Sequence, residues 1–279
     1  MLINEESLQQ IIYNIEHIGT PQGISFKLIQ KTSGDAYNAE DLAELLSQDP
    51  TICAQILKVS NSALFSRGMP IKTIKHAVTH LGLANIKSII FAIEILGTFK
   101  GHLVSEKFND MDFWKHSIAG GIIASKYART LGMQDLDLVY MAAILRNLGV
   151  LAIRQFMPGE FDKILELIEQ EKTSFENACK AVLNATHREI MYLIGQRWNL
   201  PLVIIDAIND RINHFEIGEE ALRIRKAITF ADDLLHISKF CLWDPYFMIL
   251  TVDFRGVPCE EYIKEASETV DGIYAQLFA

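Results

Sequence analysis

An all-α fold is predicted by three features of this sequence. Apolar residues recur at spacings of three and four rather than two, glycine and proline are sparse (16 and 7 in 279 residues), and no segment shows convincing strand alternation. Asn38 reads as the N-cap of a helix carrying Leu42, Leu45 and Leu46, which Asp49-Pro50 stops. Ile52, Ile56, Leu57 and Val59 mark a second helix, and Asn61, Ser62, Gly68 and Pro70 a loop. Ile74, Val78 and Leu81 form a third helix closed by Gly82, ahead of an apolar segment with Ile86, Ile89, Ile90 and Ile93. Lys100 to Asp110 resembles a linker, yet Leu103, Val104 and Phe108 predict that it packs.

Longer helices fill the second half. Asp112 is the predicted N-cap of a helix through Trp114, Ile118, Ile122 and Tyr127 that ends near Gly132. Leu138 to Ile153 is strongly apolar, and Ala142, Ala143 and Leu145 predict tight burial, while Phe161, Ile164, Leu165 and Ile168 keep i, i+3, i+4, i+7 spacing. Ser174 caps the next helix, Thr186 to Trp198 forms another, and Pro201 suits a first turn. Two further helices run from about Glu219 to His236 and from about Pro258 to Phe278. Met248 to Phe254 is the one candidate strand and fits a helix equally well. The expected architecture is two packed helical subdomains.

Composition narrows the function. With 49% hydrophobic and 22% charged residues the chain is globular. Its net charge of −9 does not steer it toward a phosphate backbone, so no nucleic-acid partner is expected. Met1 to Glu6 has two acids and no basic stretch, as no signal peptide would, and Ile86 to Leu96 is too short to span a bilayer. Cys53, Cys179, Cys241 and Cys259 lie far apart, which suits buried thiols in a reducing cytoplasm. A cytoplasmic protein without membrane insertion is the expectation.

No reaction is named by the residues alone. Of eight histidines, His76 and His80 share a helix face at i, i+4, but no third ligand sits near them in sequence. GxSxG, GxGxxG and Walker patterns are missing.

The order of several segments resembles the HDOD domain family, a relative of the HD-type metal-dependent phosphohydrolases and of the HD-GYP cyclic di-GMP phosphodiesterases. The similarity rests on Gln48-Asp49-Pro50, on Ile56 to Ala63 with Asn61-Ser62, and on Ile74 to Val78 before Leu81-Gly82. It continues through Phe113 to Ser117, and through Ala142 to Gly149 where relatives carry GLLHDIG. Thr186-His187-Arg188-Glu189 resembles "TH-E", Trp198 to Pro201 resembles "W-LP", and Ala231-Asp232 resembles the last acidic helix. About Pro21 to Phe240 is covered. The resemblance implies an N-terminal helical part over 1–105, an HD-like, phosphodiesterase-like part over 106–240, and a C-terminal extension, 241–279, packed on it.

What the resemblance implies for the site is a metal cluster at His116, at 146–147, at His187, at 211–212 and at Asp232. Here 146–147 reads Arg146-Asn147 and 211–212 reads Arg211-Ile212, leaving His116, His187 and Asp232. A guanidinium has no lone pair and stays charged, while Asn147 replaces a carboxylate with a neutral amide. The expectation is therefore a degenerate site with no metal, no cofactor and no hydrolase activity. Either Arg146 pairs with Asp232 in the metal's place, or the cluster binds an anion. HDOD proteins resemble output or scaffold modules in bacterial signalling. That implies a catalytically inactive regulator acting through protein partners in cyclic di-GMP, chemotaxis or motility pathways. A phosphohydrolase with unusual ligands and a small-ligand sensor are the alternatives. Leu64-Phe65 and the stripe Ile273, Tyr274, Leu277, Phe278 are candidate contact surfaces, whereas Asn61 and Ser62 are expected to be structural.

Overall fold

The computed structural model describes residues 13, 39–46, 49–61, 70–82, 86, 90, 108–198, 200–209, 217–238, 240 and 254–278. Among the described residues there are twelve α-helices and no strand. They are α1 (Ala39–Leu46), α2 (Pro50–Ser60), α3 (Ile74–Leu81), α4 (Asp110–Thr130), α5 (Leu136–Arg146) and α6 (Leu148–Phe156). After them come α7 (Pro158–Glu171), α8 (Phe175–Leu183), α9 (His187–Arg197), α10 (Leu202–Ile208), α11 (Glu219–Ile237) and α12 (Cys259–Phe278).

Side chains set many of the helix ends. Asp49 Oδ1 accepts the Ile52 amide at 3.1 Å, with Pro50 at the first helical position of α2. At the other end Asn61 closes the loop to α3: its amide oxygen accepts the Ile71 N–H at 2.7 Å. Its amide nitrogen donates to the Ile71 carbonyl at 2.7 Å and to the Leu57 carbonyl at 2.9 Å. One side chain thereby satisfies backbone groups on both sides of the loop. Thr73 caps α3, and Gly82 ends it at φ +84°, a left-handed conformation in which a Cβ is strained. Ser62, Leu64 and Phe65 lie outside the described residues, as do Gln48, the 101–107 stretch and the candidate strand before Phe254.

One sequence expectation needs correction. The N-cap of α4 is Asn109, whose side chain accepts the amides of Met111 and Asp112; Asp112 lies inside the first turn and receives a hydrogen bond from Asn109 Nδ2. The strongly apolar stretch Leu138 to Ile153 is buried as expected, and it forms two helices because the chain breaks at Asn147, which ends α5 and begins α6. Apolar residues on every side hid that break, since periodicity needs a polar face to be visible.

Packing forms two groups. α1, α2 and α3 pack on one another, while α5, α11 and α12 pack against α4. α12 also touches α2 and so joins the two groups into one apolar core. Phe108 is buried between the rings of Phe113 and Phe161, at 5.7 and 5.4 Å, so this end of the predicted linker packs. Leu138–Phe156, the one stretch among the described residues long and apolar enough to cross a membrane, is 94% buried within the fold.

Asn61→Ala removes three hydrogen bonds to backbone groups at a partly exposed loop. The expected loss is about 1–3 kcal/mol of folding stability, read as a lower urea midpoint at unchanged slope.

Candidate functional site

α4, α5 and α11 converge on a buried polar cluster. Arg146, the last residue of α5, forms an ion pair with Asp232 on α11, its Nε 2.9 Å from Oδ2, and the two side chains are 4% and 11% exposed. Arg146 Nη1 also donates to Thr229 Oγ1 at 3.3 Å, one turn before Asp232. From α4, His116 Nε2 lies 3.7 Å from Asp232 Oδ1, an electrostatic contact longer than a hydrogen bond. The His236 ring stands edge-on to His116 at 5.2 Å, and its Nδ1 is 2.7 Å from the Asp232 carbonyl oxygen. A carbonyl only accepts, so Nδ1 carries the proton of the neutral ring.

Charge balance follows from that geometry. Burial pushes the Asp232 carboxyl up, but Arg146, then His116 and Arg188, outweigh it and hold the group well below the ordinary carboxylate range. Burial, followed by the neighbouring His116, lowers His236 below the ordinary histidine value. Asp232 is therefore an anion throughout the physiological range, with a guanidinium already on it.

The other predicted positions surround this pair differently. Asn147 is buried at the α5–α6 break. His187 is buried as the first residue of α9, its ring edge-on to Phe175 at 5.6 Å. Thr186 and Glu189 around it form a capping box: Thr186 Oγ1 accepts the Glu189 amide at 3.0 Å and Glu189 Oε2 accepts the Thr186 amide at 2.7 Å. A Cβ at Gly149 would sit 1.8 Å from the His187 carbonyl oxygen, so only glycine lets α6 approach α9 this closely. Arg211 lies outside the described residues.

Thr229, His236, Arg188 and Arg225 are polar residues of this region beyond those the sequence marks as site residues. Thr229 and His236 stand at i−3 and i+4 from Asp232, a spacing that places them on one helix face. Arg188, buried on α9, pairs with Glu176 at 2.9 Å. Arg225 is buried too and donates to the carbonyls of Asp206, Ala207 and Asn209, closing the end of α10. No local pattern marks Arg225, because its acceptors lie at least sixteen residues away.

A divalent cation does not fit these donors. The Asp232 carboxylate is occupied by a permanent cation, and Arg146 brings like charge to the place a metal would take. Among the described residues no three His, Cys, Asp or Glu side chains group closely enough to hold a metal. His76 and His80 share a face, with rings 6.2 Å apart.

The described residues form an all-α fold with a buried polar cluster between α4, α5 and α11. More narrowly, residues 18–213 match the HDOD domain family, and the chain belongs to it. That match ends before α11, so Asp232 lies beyond it. A protein of unknown function from Geobacter sulfurreducens with an HDOD domain shares the fold: TM-score 0.76, 21% identity, 99% of each chain covered. A Marinobacter aquaeolei VT8 protein, provisionally assigned to signal transduction, gives a TM-score of 0.76 at 16% identity, over 97% of this chain and 65% of that one. A Shewanella amazonensis SB2B protein, provisionally assigned as a phosphohydrolase, gives 0.69 at 20% identity, over 96% and 98%. An uncharacterised Treponema pallidum (strain Nichols) protein is 26% identical over 195 residues, 69% of this chain and 37% of that protein. The chain thus spans little more than a third of that relative's length.

Asp232→Asn strands the buried Arg146 charge and should cost about 3–5 kcal/mol, whereas Arg146→Met combined with Asp232→Leu should recover most of it; denaturant melts of the three variants decide. The pH dependence has a definite sign. His236 binds its proton less readily folded than unfolded, so stability should fall as pH drops through about 6.5 toward the lower folded value. His236→Gln should flatten that limb. The Asp232 contribution is present above about pH 4 and lost only at stronger acid.

Proposed function

We propose that this chain is a catalytically inactive regulatory module that acts in the cytoplasm by binding another protein, in signalling of the cyclic di-GMP, chemotaxis or motility type. The Arg146–Asp232 ion pair carries the reading. Metal-dependent hydrolysis needs a cation that lowers the pKa of bound water and offsets charge on the transferred group. Arg146 supplies charge to Asp232 but has no open coordination position and generates no nucleophile. The cluster therefore holds α5 to α11 as an internal cross-link, leaving surfaces as the working parts. We take 1–105, 106–240 and 241–279 as the three structural portions, the last bridging the other two through α12.

Elemental analysis of the purified protein tests this directly. Iron, manganese and zinc should each be far below one equivalent, with no hydrolysis of cyclic di-GMP or of a p-nitrophenyl phosphodiester. A stoichiometric metal, or turnover that chelators abolish, would overturn the reading. Arg146→His with Asn147→Asp should gain manganese or zinc binding by calorimetry. A folded double variant with no gain would count against the ligand assignment.

A further inference from the structure

α12 carries two stripes. Tyr262, Ala266 and Val270 are buried, on a helix that packs against α4 and α2, while Cys259, Ile263 and Ser267, also four apart, line an open groove. The far wall is the end of α11, with Leu234, Ile237 and the following Phe240. Ile237 is 49% exposed, one of four exposed large hydrophobic side chains among the described residues. The groove has a volume of about 640 Å³ and an apolar floor.

Its length and rim narrow the occupant. From Cys259 to Ser267 the wall extends about 12 Å at 1.5 Å per residue, or two turns, which is the span of i, i+4, i+7 anchors on a docked helix. Glu260 and Glu268 are exposed rim residues one turn on either side of Lys264, so among the described residues the rim carries two carboxylates against one ammonium. Two further acids of α12 are engaged with α4, Glu265 with Lys126 and Asp271 with Lys115. A carboxylate-headed lipid meets repulsion at this rim. A second copy docked face to face would set these two carboxylates against their own counterparts.

We infer that the groove between the end of α11 and α12 docks an amphipathic helix with apolar anchors and basic residues along its edges. This rests on the reading of the chain as a protein-binding module and names the kind of partner. Apolar anchors fill the floor over Ile263 and Ile237, and flanking lysines or arginines meet Glu260 and Glu268.

The full-length protein is titrated against a fluorescein-labelled 18-residue helix with leucine at i, i+3, i+4 and i+7 and lysine on the edges. A matched peptide with glutamate for lysine and a sequence-scrambled peptide are the controls. The Leu/Lys helix should bind and weaken with added salt, and both controls should bind at least about tenfold less. Ile263→Asp should weaken binding about tenfold. The surface variant Glu260→Lys/Glu268→Lys, which leaves the core untouched, should weaken it comparably and invert the preference toward the Leu/Glu peptide. Binding that neither variant changes, equal binding of the acidic helix, or no binding at all would overturn the inference. Self-association of the wild type that Ile263→Asp abolishes would assign the groove to a second copy and also overturn it. Metal content and phosphodiesterase assays on the same preparations test the parent reading separately, because no groove residue belongs to the Arg146–Asp232 cluster.

Discussion

A guanidinium buried at the end of α5 must have an anion beside it, and the arrangement of α4, α5 and α11 meets that requirement. Arg146 is 4% exposed and its charge cannot be titrated away. Asp232 supplies the counter-charge from α11, Thr229 takes a second donor, and His116 approaches the carboxylate from α4. An ion pair of this kind contributes less as net stability than as a positional constraint. Its separation costs far more than its formation returns, so the three helices are held in one register.

The residues that make the chain recognisable divide into two sets. Asp49 and Pro50 start a helix, Asn61 closes a loop, Thr186 and Glu189 box a helix start, and Gly149 admits a carbonyl. These serve backbone geometry, which any member of the fold must satisfy whatever chemistry it carries. Arg146 and Asn147 stand where the family resemblance puts ligands, and they leave the helices around them intact. Caps and close approaches of this kind are energetically separate from the charges they enclose.

α12 gives the same lesson at the surface. Its buried stripe ties the N-terminal helices to α4, and ion pairs from Lys115 and Lys126 fix its position along that helix. A helix so held presents its second stripe rigidly. Rigid presentation lowers the entropy lost when a partner docks.

The sequence by itself determined the helical class and most helix starts, because caps and 3.6-residue periodicity are local. Ser174, Thr186, Gly82 and the α7 stripe were legible for that reason. The Asn147 break was not, since burial on all sides of α5 and α6 erased the polar face that would have shown it. Only the tertiary structure decided which of the surviving residues meet. It put Arg146 on Asp232, added Thr229 and His236 from the same helix, and brought Arg225 to the end of α10. The contacts of Arg225 with α10 and of Arg146 with Thr229 join residues from 16 to 83 positions apart, and charge and hydrogen-bond complementarity act through space, where no sequence period records them.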